Sequence, residues 1–169
     1  MVTVDHIAPT WTIDDFKTLD YKQAAYRGSD LIETYLNAGH TLDSLRLYNY
    51  FEPNPMPYGV YEHIKQHFAY LDKIGIAVNL FKPGQFIPKH YDRYDRYKEL
   101  HNLTTTDNIM RVAVMLEDGL PGQIIEVDGE VYSYWEAGDC FGWVDSVPHA
   151  FYNFSTANRY AMQITGIFK

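Results

Sequence analysis

Cysteine is all but missing. Cys140 stands alone in 169 residues, so no internal disulfide can form and a reducing compartment is expected. Positive charge is also scarce, with 14 Lys and Arg against 22 Asp and Glu and a net charge of −8. That balance argues against broad binding to nucleic acid or anionic membranes. No apolar stretch approaches the roughly 20 residues of a membrane span. The opening MVTVDHIAPTWTIDDF has neither the basic start nor the apolar run of a secretory leader. A cytoplasmic location is the expectation from these absences. Gly-x-Ser-x-Gly and glycine-rich phosphate loops are missing as well, so neither nucleophile-elbow nor phosphate-cradle chemistry is indicated.

What is present points to one β-rich domain over 1–169. Hydrophobic residues make up 46%, enough for a real core, and 15 Tyr and 9 Phe favour pleated surfaces. Residues 1–73 read as a helical support region. Ser29 or Asp30 caps a helix whose stripe is Leu31, Ile32, Tyr35 and Leu36, ended by Gly39. Glu52–Pro57 reads as a turn, with Pro57 opening a second helix that carries Val60, Ile64, Phe68 and Leu71. Residues 74–168 read as an antiparallel jelly roll. Ile74–Phe81 is rich in branched and apolar residues, and Ile109–Glu117 alternates, Val112, Val114 and Leu116 against Arg111, Ala113 and Met115. Asp128–Gly129 is a type I′ hairpin signal. HAFYNF and RYAMQITGIF read as a final hairpin across Ser155–Asn158.

The candidate site is a metal site. His90 and Asp92 lie two apart at the end of a strand, so both can face inward, and the distant His149 opens another strand. Two imidazoles and one carboxylate on one face of an ion leave positions open, which suits non-haem Fe(II) rather than structural zinc. H-x-D alone can arise by chance in a chain with 7 His, and its bland reading is a solvated loop. Arg159 adds to it, because a guanidinium on the neighbouring strand can fork onto the carboxylate of a 2-oxo acid.

These residues carry a resemblance. Pro83-Gly84, Ile87, His90-x-Asp92, Trp135, Gly138-Asp139, Pro148-His149, Asn153 and Arg159 together resemble the Fe(II)/2-oxoglutarate-dependent oxygenases. The stretch from Trp135 to Tyr160 is similar to their aspartyl/asparaginyl β-hydroxylase-like branch, where Asp145-Ser146 also has a counterpart. The resemblance covers roughly residues 80–168. It implies a double-stranded β-helix, Fe(II) on His90, Asp92 and His149, and 2-oxoglutarate as co-substrate with O2. It further implies that Arg159 grips the distal carboxylate and Arg111, in Asn108-x-x-Arg111, the other end. Asp92 matches the wider superfamily rather than the branch, and Ala113 replaces a histidine the branch usually has.

The polar segment Tyr91–Asn108 has two readings, an exposed loop or a lid that puts Arg93, Tyr94, Arg96 and Tyr97 near an amino-acid, peptide or other small substrate. His63 and His67 read as a solvated helix face, and Cys140 as core. Two other functions stay open: a cupin-like metal enzyme that does not use 2-oxoglutarate, and a non-enzymatic β-sandwich binding module.

Overall fold

The computed structural model describes residues 2–24, 29–51, 59–106, 108–144 and 147–169. In chain order its elements are β1 (Val2–His6), α1 (Asp14–Lys17), β2 (Lys22–Ala24), α2 (Ser29–Asn37), β3 (Leu47–Phe51), α3 (Val60–His67), β4 (Leu71–Phe81) and β5 (Gln85–His90). Then follow α4 (Asp95–His101), β6 (Ile109–Met115), β7 (Gln123–Val127), β8 (Glu130–Tyr132), β9 (Asp139–Val144), β10 (His149–Asn153) and β11 (Arg159–Phe168). Every strand pairing is antiparallel. The strands form two sheets, a large one ordered β1-β9-β6-β11-β4-β3-β2 and a small one ordered β5-β10-β7-β8. This is the mainly β, two-sheet jelly roll that the strand pattern predicts.

Strand parity places the two cores. Val112, Val114 and Leu116, with Ile76, Val78 and Leu80 of β4 and Tyr160, Met162 and Ile164 of β11, pack under Phe16 of α1 and Val60 and Ile64 of α3. The opposite parity, Ala113, Met115 and Ala161, packs against Ile125 and Val127 of the small sheet. The large sheet is thus buried on both faces, and its inner face is free to build a site between the sheets. Asp128 and Gly129 both take positive φ, 53° and 86°, at the β7–β8 tip, as a type I′ turn requires.

Three expectations need correction. Residues 1–73 are not only helical support: β1, β2 and β3 extend the large sheet at both edges. Leu71 belongs to β4 rather than to the second helix, although it is buried in the same core. The final pair is not a hairpin. β10 already pairs with β5 and β7, and β11 with β4 and β6, so neither has a free edge for the other. The chain crosses between sheets instead, held by the buried Asn153 carboxamide. Its Nδ2 donates to Phe81 O at 2.8 Å and Ala157 O at 2.9 Å, and its Oδ1 accepts from Ser155 Oγ at 2.6 Å. The Glu52–Pro57 turn, Pro57 as helix start and Asp145-Ser146 lie outside the described residues. Among the described residues no helix is long and apolar enough to cross a membrane.

Candidate metal centre

β5 and β10 are neighbours in the small sheet, and their register sets His149 directly opposite His90. The two imidazole centroids are 4.3 Å apart. Asp92, two residues past the end of His90's strand, turns back to them: its Oδ1 is 3.7 Å from His90 Nε2 and its Oδ2 is 3.6 Å from His149 Nε2. One ligand atom from each of the three lies within 4.8 Å of the others, a spacing that can hold a metal ion.

The tautomers fit that role. His90 Nδ1 is 2.8 Å from Pro88 O and His149 Nδ1 is 2.8 Å from Val147 O. A carbonyl only accepts, so both Nδ1 atoms carry hydrogen, and the Nε2 atoms are the ring nitrogens turned toward Asp92. Burial, against the attraction of Asp92, pushes the His149 pKa down to about 4, which keeps the ring neutral at pH 7. Burial would raise the Asp92 pKa, but the Arg111 guanidinium beside it holds it well below the usual carboxylate range. The donor set is therefore two imidazoles and one carboxylate, which suits a divalent ion with open positions. Trp143, 4.7 Å from the His149 ring, closes one side against water.

Arg111 comes from the interior strand β6 and reaches the centre. Its Nε donates to Asp92 Oδ2 at 3.0 Å and its Nη1 to Thr165 Oγ1 at 2.6 Å. The Tyr94 ring lies under its guanidinium at 5.0 Å. Of Arg93, Tyr94, Arg96 and Tyr97, then, only Tyr94 packs onto the site. Arg93 is exposed and pairs with Asp95 at 3.1 Å, Arg96 is exposed, and Tyr97 donates to Lys73 O at 2.7 Å. Nor is the segment a simple loop. Asp95–His101 forms α4, closed by Asn102 at φ 54°, and it buries no residue. It lacks an apolar stripe, so hydrophobic periodicity could not reveal it.

Arg159 sits at the start of β11, 1% exposed, with its guanidinium 5.0 Å from the Trp135 ring, 5.4 Å from Phe151 and 5.6 Å from Phe81. Burial lowers its pKa to about 9, opposed by Glu117, and it stays protonated at pH 7. No carboxylate lies within ion-pair distance of it among the described residues, and its buried Nε has no hydrogen-bond partner. It stands behind Phe81 and Phe151, which line the chamber that opens onto the metal ligands.

That chamber has a volume of about 180 Å³ and is lined by His90, Asp92, His149 and Arg111 at one end and by Phe81, Phe151, Asn49, Asn79 and Gln163 elsewhere. The three amides escaped the reading of the sequence. The signal for two of them was parity: Asn79 in IAVNLF and Gln163 in AMQIT are polar residues at inward positions of apolar strands. His63 and His67 of α3 each hydrogen-bond to the N-terminal segment, to Ala8 O at 2.9 Å and Asp5 Oδ2 at 2.8 Å. Cys140 is core, its thiol pushed up to about 12 by burial.

No family model matches the chain, and no curated protein matches it. Among solved structures, it is similar to a prolyl-4-hydroxylase from Pseudomonas putida, with TM-score 0.50, 16% identity and coverage of 94% of this chain and 97% of that one. It is also similar to an RmlC-like cupin from Shewanella frigidimarina (TM-score 0.40, 12% identity, 72% and 76% covered). The Cnp3 cupin domain of Schizosaccharomyces pombe is a third (TM-score 0.43, 7% identity, 72% and 64% covered). At such identities the likeness is one of fold. The chain has the double-stranded β-helix fold of the cupin type, with a His-Asp-His cluster able to hold a metal ion at its inner face.

Proposed function

We propose that the protein is a non-haem Fe(II)- and 2-oxoglutarate-dependent oxygenase that hydroxylates an amino-acid, peptide or other small substrate. The observation that carries this reading is a pair of features in one inter-sheet space: the His90–Asp92–His149 cluster and a buried Arg159 guanidinium without a carboxylate partner among the described residues. An unpaired buried charge is costly, and an anionic co-substrate offsets that cost. An Fe(II) ion on the three ligands would supply the activation of O2 that no side chain provides.

This chain's residues do the rest. The carbonyls of Pro88 and Val147 fix the ring orientations, and Arg111 fixes the Asp92 carboxylate. Phe81, Phe151 and Trp143 keep water from the reacting end. Arg159 grips the far carboxylate of 2-oxoglutarate, and Arg111 gives positive charge near its other end.

The test is titration of 2-oxoglutarate into the Fe(II)-loaded protein without oxygen, followed by a weak visible charge-transfer band. Arg159→Ala should weaken co-substrate binding by about 2–5 kcal/mol, as breaking a buried charge pair does. Arg159→Lys should recover part of that, because a point charge replaces a planar fork. Iron affinity without co-substrate should stay near wild type. An unchanged titration in Arg159→Ala would remove 2-oxoglutarate from this arginine.

One observation favours a second reading. Phe81 and Phe151 stand between Arg159 and the chamber. If Arg159 only stacks on aromatic rings, the protein is a cupin-type metal enzyme that needs no 2-oxoglutarate. Metal-dependent turnover that ignores added 2-oxoglutarate is its signature.

A further inference from the structure

The inner face of the large sheet carries a polar row that begins beside the metal centre and leads away from it. It runs from Arg111 on β6 to Gln163 on β11, then Asn79 on β4 and Asn49 on β3, the last two being direct cross-strand partners. Its neighbours on that face are Ala113, Ala161 and Phe81. Amides in such a wall are costly unless they are partnered.

The row has a direction. Arg111 can only donate, so the Gln163 atom against its guanidinium is Oε1, which also lies 3.3 Å from Arg111 Nη2. That turns Gln163 Nε2 toward the Asn79 amide 2.9 Å away. Asn79 must then present Oδ1 to it, and its own Nδ2 faces onward. Each amide accepts on oxygen and passes a donor along. The onward-facing end of the Asn79 amide and the Asn49 carboxamide oxygen are buried with no partner among the described residues. Whether Asn79 donates to Asn49 or straight into the chamber, the last group of the row is an N–H donor, polarised by a cation at the other end.

We infer that this row is a specificity wall whose terminal amide N–H groups, Asn79 first, bind a carboxylate oxygen of the small acid held beside the metal. The acid is 2-oxoglutarate or the compound to be oxidised, and the chemistry read is the same. The inference deepens the reading of this chamber as a substrate chamber.

The experiment measures binding, with the full chain loaded with redox-inert Zn(II) and calorimetry or ligand-observed NMR as readout. The probes are 2-oxoglutarate alone, and acetate with and without saturating 2-oxoglutarate. Asn79→Asp keeps the acceptor for Gln163 and replaces the terminal donor by an acceptor. Asn79→Leu removes the donor without adding charge. Both should weaken one probe by about 10- to 100-fold, the span of a lost charge-assisted hydrogen bond, with Zn(II) affinity unchanged. Gln163→Glu should do the same at a distance, because two acceptors there force Asn79 to turn its oxygen to the chamber. A loss confined to 2-oxoglutarate assigns the row to the co-substrate, and a loss confined to acetate assigns it to the second acid. If wild type binds acetate but no 2-oxoglutarate, the co-substrate reading fails while the wall stands. Wild-type affinity for both probes in Asn79→Leu overturns the wall, even if Asn79→Asp binds weakly, since repulsion alone would then explain the latter.

Discussion

His149 is prepared as a ligand by its surroundings before any metal arrives. Val147 O takes the Nδ1 hydrogen, Trp143 and Phe151 cover the ring, and burial holds the pKa near 4. The consequence for stability has a definite sign. An unfolded histidine protonates near 6.5, so stability contributed by the neutral buried ring is full above that pH. It is lost as pH falls from about 6.5 toward about 4. The depressed Asp92 carboxyl acts in the same direction at lower pH. The metal-free protein should therefore lose on the order of 3 kcal/mol between pH 7 and pH 4 from this one ring. Urea unfolding midpoints across that range measure it. His149→Gln should flatten the upper part of the curve, and an equal slope in that variant would assign the acid sensitivity elsewhere.

At the scale of elements, the site depends on register more than on composition. β5 and β10 put His90 opposite His149, and a bulge between His149 and Phe151 adjusts the pairing just beyond the ligand. The edge strand β1 is docked by a similarly tight device. Gly138 has φ 95°, and a Cβ there would lie 2.2 Å from Ile7 O, while Ile7 N donates to Gly138 O at 2.9 Å. Gly138→Ala must move the segment that follows β1 away from β9. It should cost about 3 kcal/mol or more, combining left-handed strain with the clash. Thermal denaturation measures the loss, and amide exchange should locate it in residues 2–8. Uniform exchange change across both sheets would contradict a local detachment.

For the whole molecule, a metal ion on His90, Asp92 and His149 would clasp two strands of the small sheet to the segment leading into α4. Ion binding to the native state alone should then stabilise the entire jelly roll. At a free ion concentration 100 times Kd the gain is about 2.7 kcal/mol, or roughly 5–10 °C in Tm for a domain of this size. Calorimetric scans with Fe(II) under argon, or with Zn(II), should record the shift, and His149→Ala should abolish it while retaining the two-sheet fold. A shift that survives in His149→Ala would mean the ion binds elsewhere.

Much of this was legible in the chain itself. Alternation in residues 109–117 separated the two faces of one strand, Asp128–Gly129 marked a hairpin, and His90, Asp92 and His149 were read as one cluster able to hold a metal ion, because pleat parity and turn chemistry are local properties. Hydrophobic pattern could not reveal β1–β3 as sheet edges, or α4, which buries nothing. Nor could it tell that β10 and β11 part company, since that depends on which edges other strands have already taken. The tertiary structure alone decided that Arg111 clamps Asp92, that Arg159 stacks behind Phe81 and Phe151, and that three amides from β3, β4 and β11 join one row. Side-chain partners across sheets are chosen by register and by who may donate to whom, and neither is written in any one strand.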